Sequence, residues 1–170
     1  MLSDIGELAF ERVLRACGLR LKVCADGAEI PGSYWGAPEA GLVGGYLYAR
    51  RDTPAHSVLH EASHYVCMSP GRRADLHTDA GGSYEEECCV CYLQIILSES
   101  VPGLGRERMF KDMDTWGYSF RLGSAQKWFE GDAGDSAATL RQWGLTDSSG
   151  RPTWRLRGES AITGCDASRA

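Results

Sequence analysis

Residues 54–68 can be folded in few ways. Ala55, Val58, Leu59, Ala62, Tyr65 and Val66 recur at helical spacing and define a core-facing stripe. Thr53 suits an N-cap, Pro54 suits the first helical position, and Ser69-Pro70-Gly71 stops the run. A helix is therefore predicted here, and it carries His60, Glu61 and His64 in the pattern H-E-x-x-H. Residues i and i+4 lie one turn apart on one face, so both imidazoles can address one cation. Glu61, between them, can accept a proton from a metal-bound water. Three of the four histidines, His56, His60 and His64, stand at successive i+4 steps. His56 and His64 are about 12 Å apart along the axis at ~1.5 Å per residue, too far to share an ion with bonds of ~2 Å. His56 is expected to lie outside the coordination sphere or in solvent.

A catalytic zinc usually takes three protein ligands and leaves one position open. The extended pattern H-E-x-x-H-x-x-G-x-x-H is excluded, because Cys67 and Pro70 occupy its Gly and His positions. His77 and Asp79 lie in a downstream loop and could reach an ion. The acidic triplet Glu85-Glu86-Glu87 opens a second predicted helix running to about Ser98. Acids in a first turn also complement the helix dipole, which accounts for two of the three. Glu86 aligns with the apolar positions Cys89, Val90, Leu93 and Leu97, and is taken as the third ligand. Glu87 shares its phase with Gln94, which is read as the wetter side. Glu85 and Glu87 remain alternatives.

The H-E-x-x-H pair, followed by a Glu opening a helix 22 residues after His64, resembles the gluzincin branch of the zincin metallopeptidases. The acid-then-small start Glu86-Glu87-Cys88-Cys89 resembles small intracellular ImmA/IrrE-type zincins. The resemblance covers about residues 41–98. It implies one Zn2+ held by His60, His64 and Glu86, with Glu61 as general base, acting on a peptide or protein substrate. It also makes the segment 41–49 a candidate edge strand for pairing with an extended peptide. Many zincins add an oxyanion donor from elsewhere, for which Tyr118, Arg121 and His77 are available. The expected activity is zinc-dependent peptide or amide hydrolysis. The alternative is a zincin scaffold used for metal binding, regulation or protein interaction with little turnover.

The rest of the chain sets the frame. A length of 170 residues suits one α+β domain over 1–150, with an α/β part to about 98 and a helical part over about 104–145. The expected architecture is a minimal zincin-like fold, a small mostly antiparallel sheet with an active-site helix. Residues 151–170 read as a mobile tail. Helices are predicted over 2–17, 106–116, 124–130 and 135–143, and strands over 19–24 and 41–49. The glycines of the second strand permit close backbone approach. Aromatics from Trp116 to Trp143 read as helical core, and the pairs Arg50-Arg51 and Arg72-Arg73 as solvated loop ends. A net charge of −5 gives no support to a nucleic-acid partner. Seven cysteines, three of them crowded at Cys88, Cys89 and Cys91, read as small core residues of a reducing compartment. The longest uncharged apolar run, Cys88–Ser98, is too short for a bilayer. With no signal-peptide pattern at the amino terminus, the expectation is a cytoplasmic protein.

Overall fold

A computed structural model describes residues 1–159. The fold is α+β, as expected. The elements run α1 (Leu2–Ile5), α2 (Glu7–Ala16), β1 (Arg20–Val23), β2 (Gly41–Val43), β3 (Tyr46–Ala49) and α3 (Ala55–Cys67). They continue with α4 (Pro70–Ala74), α5 (Tyr84–Ser98), α6 (Gly105–Thr115), α7 (Ala125–Gly131) and α8 (Gly134–Gln142). The predicted first helix is two, because the chain turns at Gly6 with φ +94°. The predicted 41–49 strand is a hairpin. Val43 pairs with Tyr46 across the two-residue turn Gly44-Gly45, and Gly44 takes the left-handed φ of +54° that such turns demand.

The sheet is mixed rather than mostly antiparallel, in the order β1-β3-β2. β3 runs parallel to β1 and antiparallel to β2. The parallel pair follows from the long crossover through residues 24–40, which a tight hairpin cannot supply. That crossover presses onto β2 so closely that a Cβ at Gly41 would stand 2.3 Å from the Pro31 carbonyl oxygen. The 41–49 segment is not a free edge. β3 is central, and the outer side of β2 is occupied by the next segment, where His77 bridges Val43 and Thr78 N–H donates to Leu42 O.

Helix α3 lies at the centre, against β3 and chiefly against α5. Its apolar stripe is buried as predicted, with Val58, Leu59 and Ala62 fully enclosed. Pro54, not Thr53, stands at the N-cap position; the Thr53 hydroxyl accepts from Arg50 N–H instead. Helix α5 is apolar on nearly every side and is buried from Cys89 to Ser98 apart from Tyr92. Both helices are core elements, so the side chains they share face each other across a packed interface.

Two other expectations change. Residues 151–159 are docked, not loose: Thr153 N–H donates to Leu145 O, and Arg157 N–H donates to Val66 O. The remainder of the expected tail, 160–170, lies outside the described residues. Of the two arginine pairs only Arg51 is a solvated end. Arg50 is buried and donates to Asp52 and to Ala28 O, and Arg73 donates to Tyr65 O and Met68 O. No disulfide joins the six cysteines among the described residues, and Cys17, Cys67, Cys89 and Cys91 are buried. No described helix is long and apolar enough to cross a membrane.

Candidate metal centre

One turn of α3 brings the two imidazole rings of the pentapeptide together, with Nε2 of His60 3.2 Å from Nε2 of His64. The facing helix supplies a carboxylate. Glu87 Oε1 lies 3.3 Å from His60 Nε2, and Glu87 Oε2 lies 3.3 Å from His64 Nε2. Ligand atoms bonded tetrahedrally at ~2.0–2.1 Å to one zinc are separated by about 3.3 Å. Each imidazole thus stands at that spacing from the other and from one oxygen of the carboxylate, and one ligand atom from each residue lies within 4.8 Å of the other two.

The acid of the triplet that meets the two imidazoles is Glu87 and not Glu86. Glu86 is buried and turned away, accepting from Arg72 Nη1 at 2.7 Å and from Arg157 Nη1 at 2.9 Å. Alignment with the apolar positions correctly places Glu86 inside, but two arginines from distant segments meet it there. Glu85 is exposed, its carboxyl held below the usual carboxylate range by the Ser83 hydroxyl. His77 is exposed, with Nδ1 on the Thr78 hydroxyl, and Asp79 accepts from Gly81 N–H. Neither belongs to the cluster.

The structure also shows what orients His60. Its Nδ1 stands 2.7 Å from Oε1 of Gln94, a fully buried residue on α5. An amide oxygen only accepts, so Nδ1 donates to Gln94 and Nε2 is the ring nitrogen left facing Glu87. With Nδ1 occupied by Gln94, Nε2 is the nitrogen free to coordinate, and a cation between it and the carboxylate would bind both. The donor chemistry therefore fits a divalent cation. His64 is buried; desolvation, helped by His60 and Arg72, pushes its pKa down to about 3. Its ring is neutral at ordinary pH, the form a metal requires.

Glu61 lines the same cleft, which encloses about 680 Å³. Burial, and then the like charges of Glu39 and Glu87, raise its carboxyl to about 8. Glu39 reaches the cleft from the crossover before β2 and has no local pattern that marks it. Tyr34, Trp35 and Trp116 stand exposed at the rim. Trp116, read from sequence as core, instead stands at the cleft, while Tyr118 packs against the core and also lines the cleft; both cover His56, with ring centroids 5.2 and 5.7 Å away. Phe120, Trp128 and Phe129 do pack in the helical layer as expected.

His56 is buried, outside the three-residue cluster as expected, and lines the same cleft. Both of its ring nitrogens are buried without a partner, and burial, then His60, lowers its pKa to about 4. The native state thus refuses a proton that the unfolded chain takes up at about 6.5. The His56 contribution to stability is fully present above pH 6.5 and is lost as pH falls through 4. Glu61 acts in the opposite sense: its contribution is present below pH 4.5 and lost as pH rises through 8. A comparison with His56→Phe isolates the first term. In chelator, the wild type should lose about 2 kcal/mol more than His56→Phe between pH 7 and pH 5. Parallel denaturation curves for the two proteins across that range would show that His56 protonates freely in the fold.

No protein-family model, curated protein or solved structure matches the chain.

Proposed function

We propose that the protein is a zinc-dependent peptidase or amide hydrolase in which His60, His64 and Glu87 hold the ion and Glu61 is the general base. The observation that carries this reading is the convergence of two Nε2 atoms and one carboxylate at 3.2–3.3 Å, with Glu61 in the adjoining cleft. Two imidazoles and a carboxylate form a donor set suited to zinc. When bound, zinc supplies Lewis acidity, making a water nucleophilic near neutral pH and polarising a carbonyl.

The chain's own part is proton handling and positioning. The carboxylate of Glu61 takes a proton from the attacking water as the new C–O bond forms. It then returns that proton to the amide nitrogen as the C–N bond breaks. Glu61, its carboxyl raised to about 8 chiefly by burial and then by Glu39 and Glu87, is largely protonated at neutral pH while the site holds no cation. Positive charge held at Glu87 favours the basic form by opposing the acidic contribution to that shift. Gln94 keeps the His60 ring in one tautomer throughout. The exposed aromatics at the rim offer apolar surface to a substrate chain.

Elemental analysis of protein purified without a histidine tag should find about one zinc per chain, and a peptide library should be cleaved in a chelator-sensitive way. Zinc without cleavage would favour the alternative, a metal-binding scaffold of regulatory or interaction function. Absence of zinc would remove both.

A further inference from the structure

The pair Glu86 and Arg157 has no place in the chemistry above, yet it sits where both ligand-bearing helices meet. Arg157 Nη1 donates to Glu86 Oε2 at 2.9 Å, in the first turn of α5. The same nitrogen donates to Cys67 O at 3.2 Å, at the last residue of α3. Its guanidinium lies 3.7 Å from the ring centre of Trp143, and Arg73 Nη2 donates to Arg157 O. Glu86 is gripped from its other side by Arg72 of α4, whose Nη1 meets both carboxylate oxygens at 2.7 and 3.0 Å. Arg72 also donates to Ala80 O, tying down the loop before α5. That loop ends in Gly82 at φ +133°, where a Cβ would stand 3.0 Å from Glu86 Oε1.

Consecutive helical residues point about 100° apart. Anchoring Glu86 between two arginines therefore sets the rotation of the first turn of α5, and with it the direction of Glu87. We propose that Glu86 is a positioning residue and that the carboxy-terminal segment 152–159 is part of the metal centre. Through Arg157 that segment locks Glu87 against His60 and His64. Partners of this kind, which orient a ligand without touching the ion, typically change metal affinity 10–100-fold when lost. Two of the three anchoring residues lie outside the ligand helices, so release of the 152–159 segment would loosen the site without altering any ligand.

The inference rests on the metal reading, and one experiment separates the two. Zinc affinity is measured by competition with a chromophoric chelator for wild type, Arg157→Ala, Arg157→Lys and Glu86→Gln. Cobalt-substituted samples are followed by visible absorption, which reports coordination geometry, and chelator-treated samples by thermal unfolding. Wild type should bind one zinc. Arg157→Ala and Glu86→Gln should each bind about tenfold more weakly or worse, with an altered cobalt spectrum, and Arg157→Lys should recover part of the loss. Both the affinity and the spectrum are read on the folded fraction, so a lowered melting temperature does not imitate the effect. Tight wild-type binding with unchanged affinity and spectrum in Arg157→Ala and Glu86→Gln overturns the positioning role alone. A wild type that binds no zinc overturns the metal centre and this role together.

Discussion

Replacing Glu87 by alanine is expected to abolish zinc binding in the micromolar range, a loss of at least about 100-fold, beyond what an outer partner alone contributes. Glu87 supplies both carboxylate oxygens that face the imidazoles, and no other acid joins the cluster among the described residues. Glu85→Ala should bind zinc as the wild type does, since Glu85 points into solvent. Isothermal titration of zinc into the chelator-treated variants distinguishes the three acids. Tight binding by Glu87→Ala together with loss in Glu86→Ala would reverse the ligand assignment and return it to the reading from helical phase. His64→Ala should resemble Glu87→Ala, because each removes one of three corners.

The second large effect is on turnover. Glu61→Gln keeps the shape of the side chain and removes its basicity, so zinc content should be unchanged while peptide cleavage falls by about 10²–10⁴-fold. The two readouts are independent: Glu61 lies in the cleft but outside the cluster of His60, His64 and Glu87. Full activity in Glu61→Gln would dismiss the general-base role, whatever the metal content. Loss of zinc from Glu61→Gln would instead make Glu61 part of the binding site. Its raised pKa has a related consequence. Burial raises it most, and the charges of Glu39 and Glu87 add to the shift; a cation held at Glu87 opposes that second contribution, so metal binding favours proton release.

Helix α3 and its two histidines were legible from the chain alone because the information is local. An i, i+4 pair shares a face in any α-helix, and the apolar stripe of Val58, Leu59 and Ala62 says which side is buried. The α+β class, the order of most elements and the glycine-mediated approach at Gly41 could be read in the same way. The choice among Glu85, Glu86 and Glu87 could not. The needed clue was present in Gln94, which shares its phase with Glu87. A single amide in an apolar run suggests water, and only the packing of α5 on α3 shows that it faces His60 instead.

What the linear chain determined by itself is a helix presenting two imidazoles and a carboxylate, together with a second helix opened by three acids. Tertiary structure decided which acid meets the imidazoles, because that depends on the rotation of α5 against α3. That rotation is held by Arg72 and Arg157, 14 and 71 residues from Glu86. It decided as well that the 41–49 segment is a hairpin without a free inner edge, and that residues 151–159 are docked. Helical periodicity acts over a few residues and is written in composition and spacing. The pairing of buried charges from remote segments is not, since any arginine could satisfy Glu86 until the folded chain brings two of them to it.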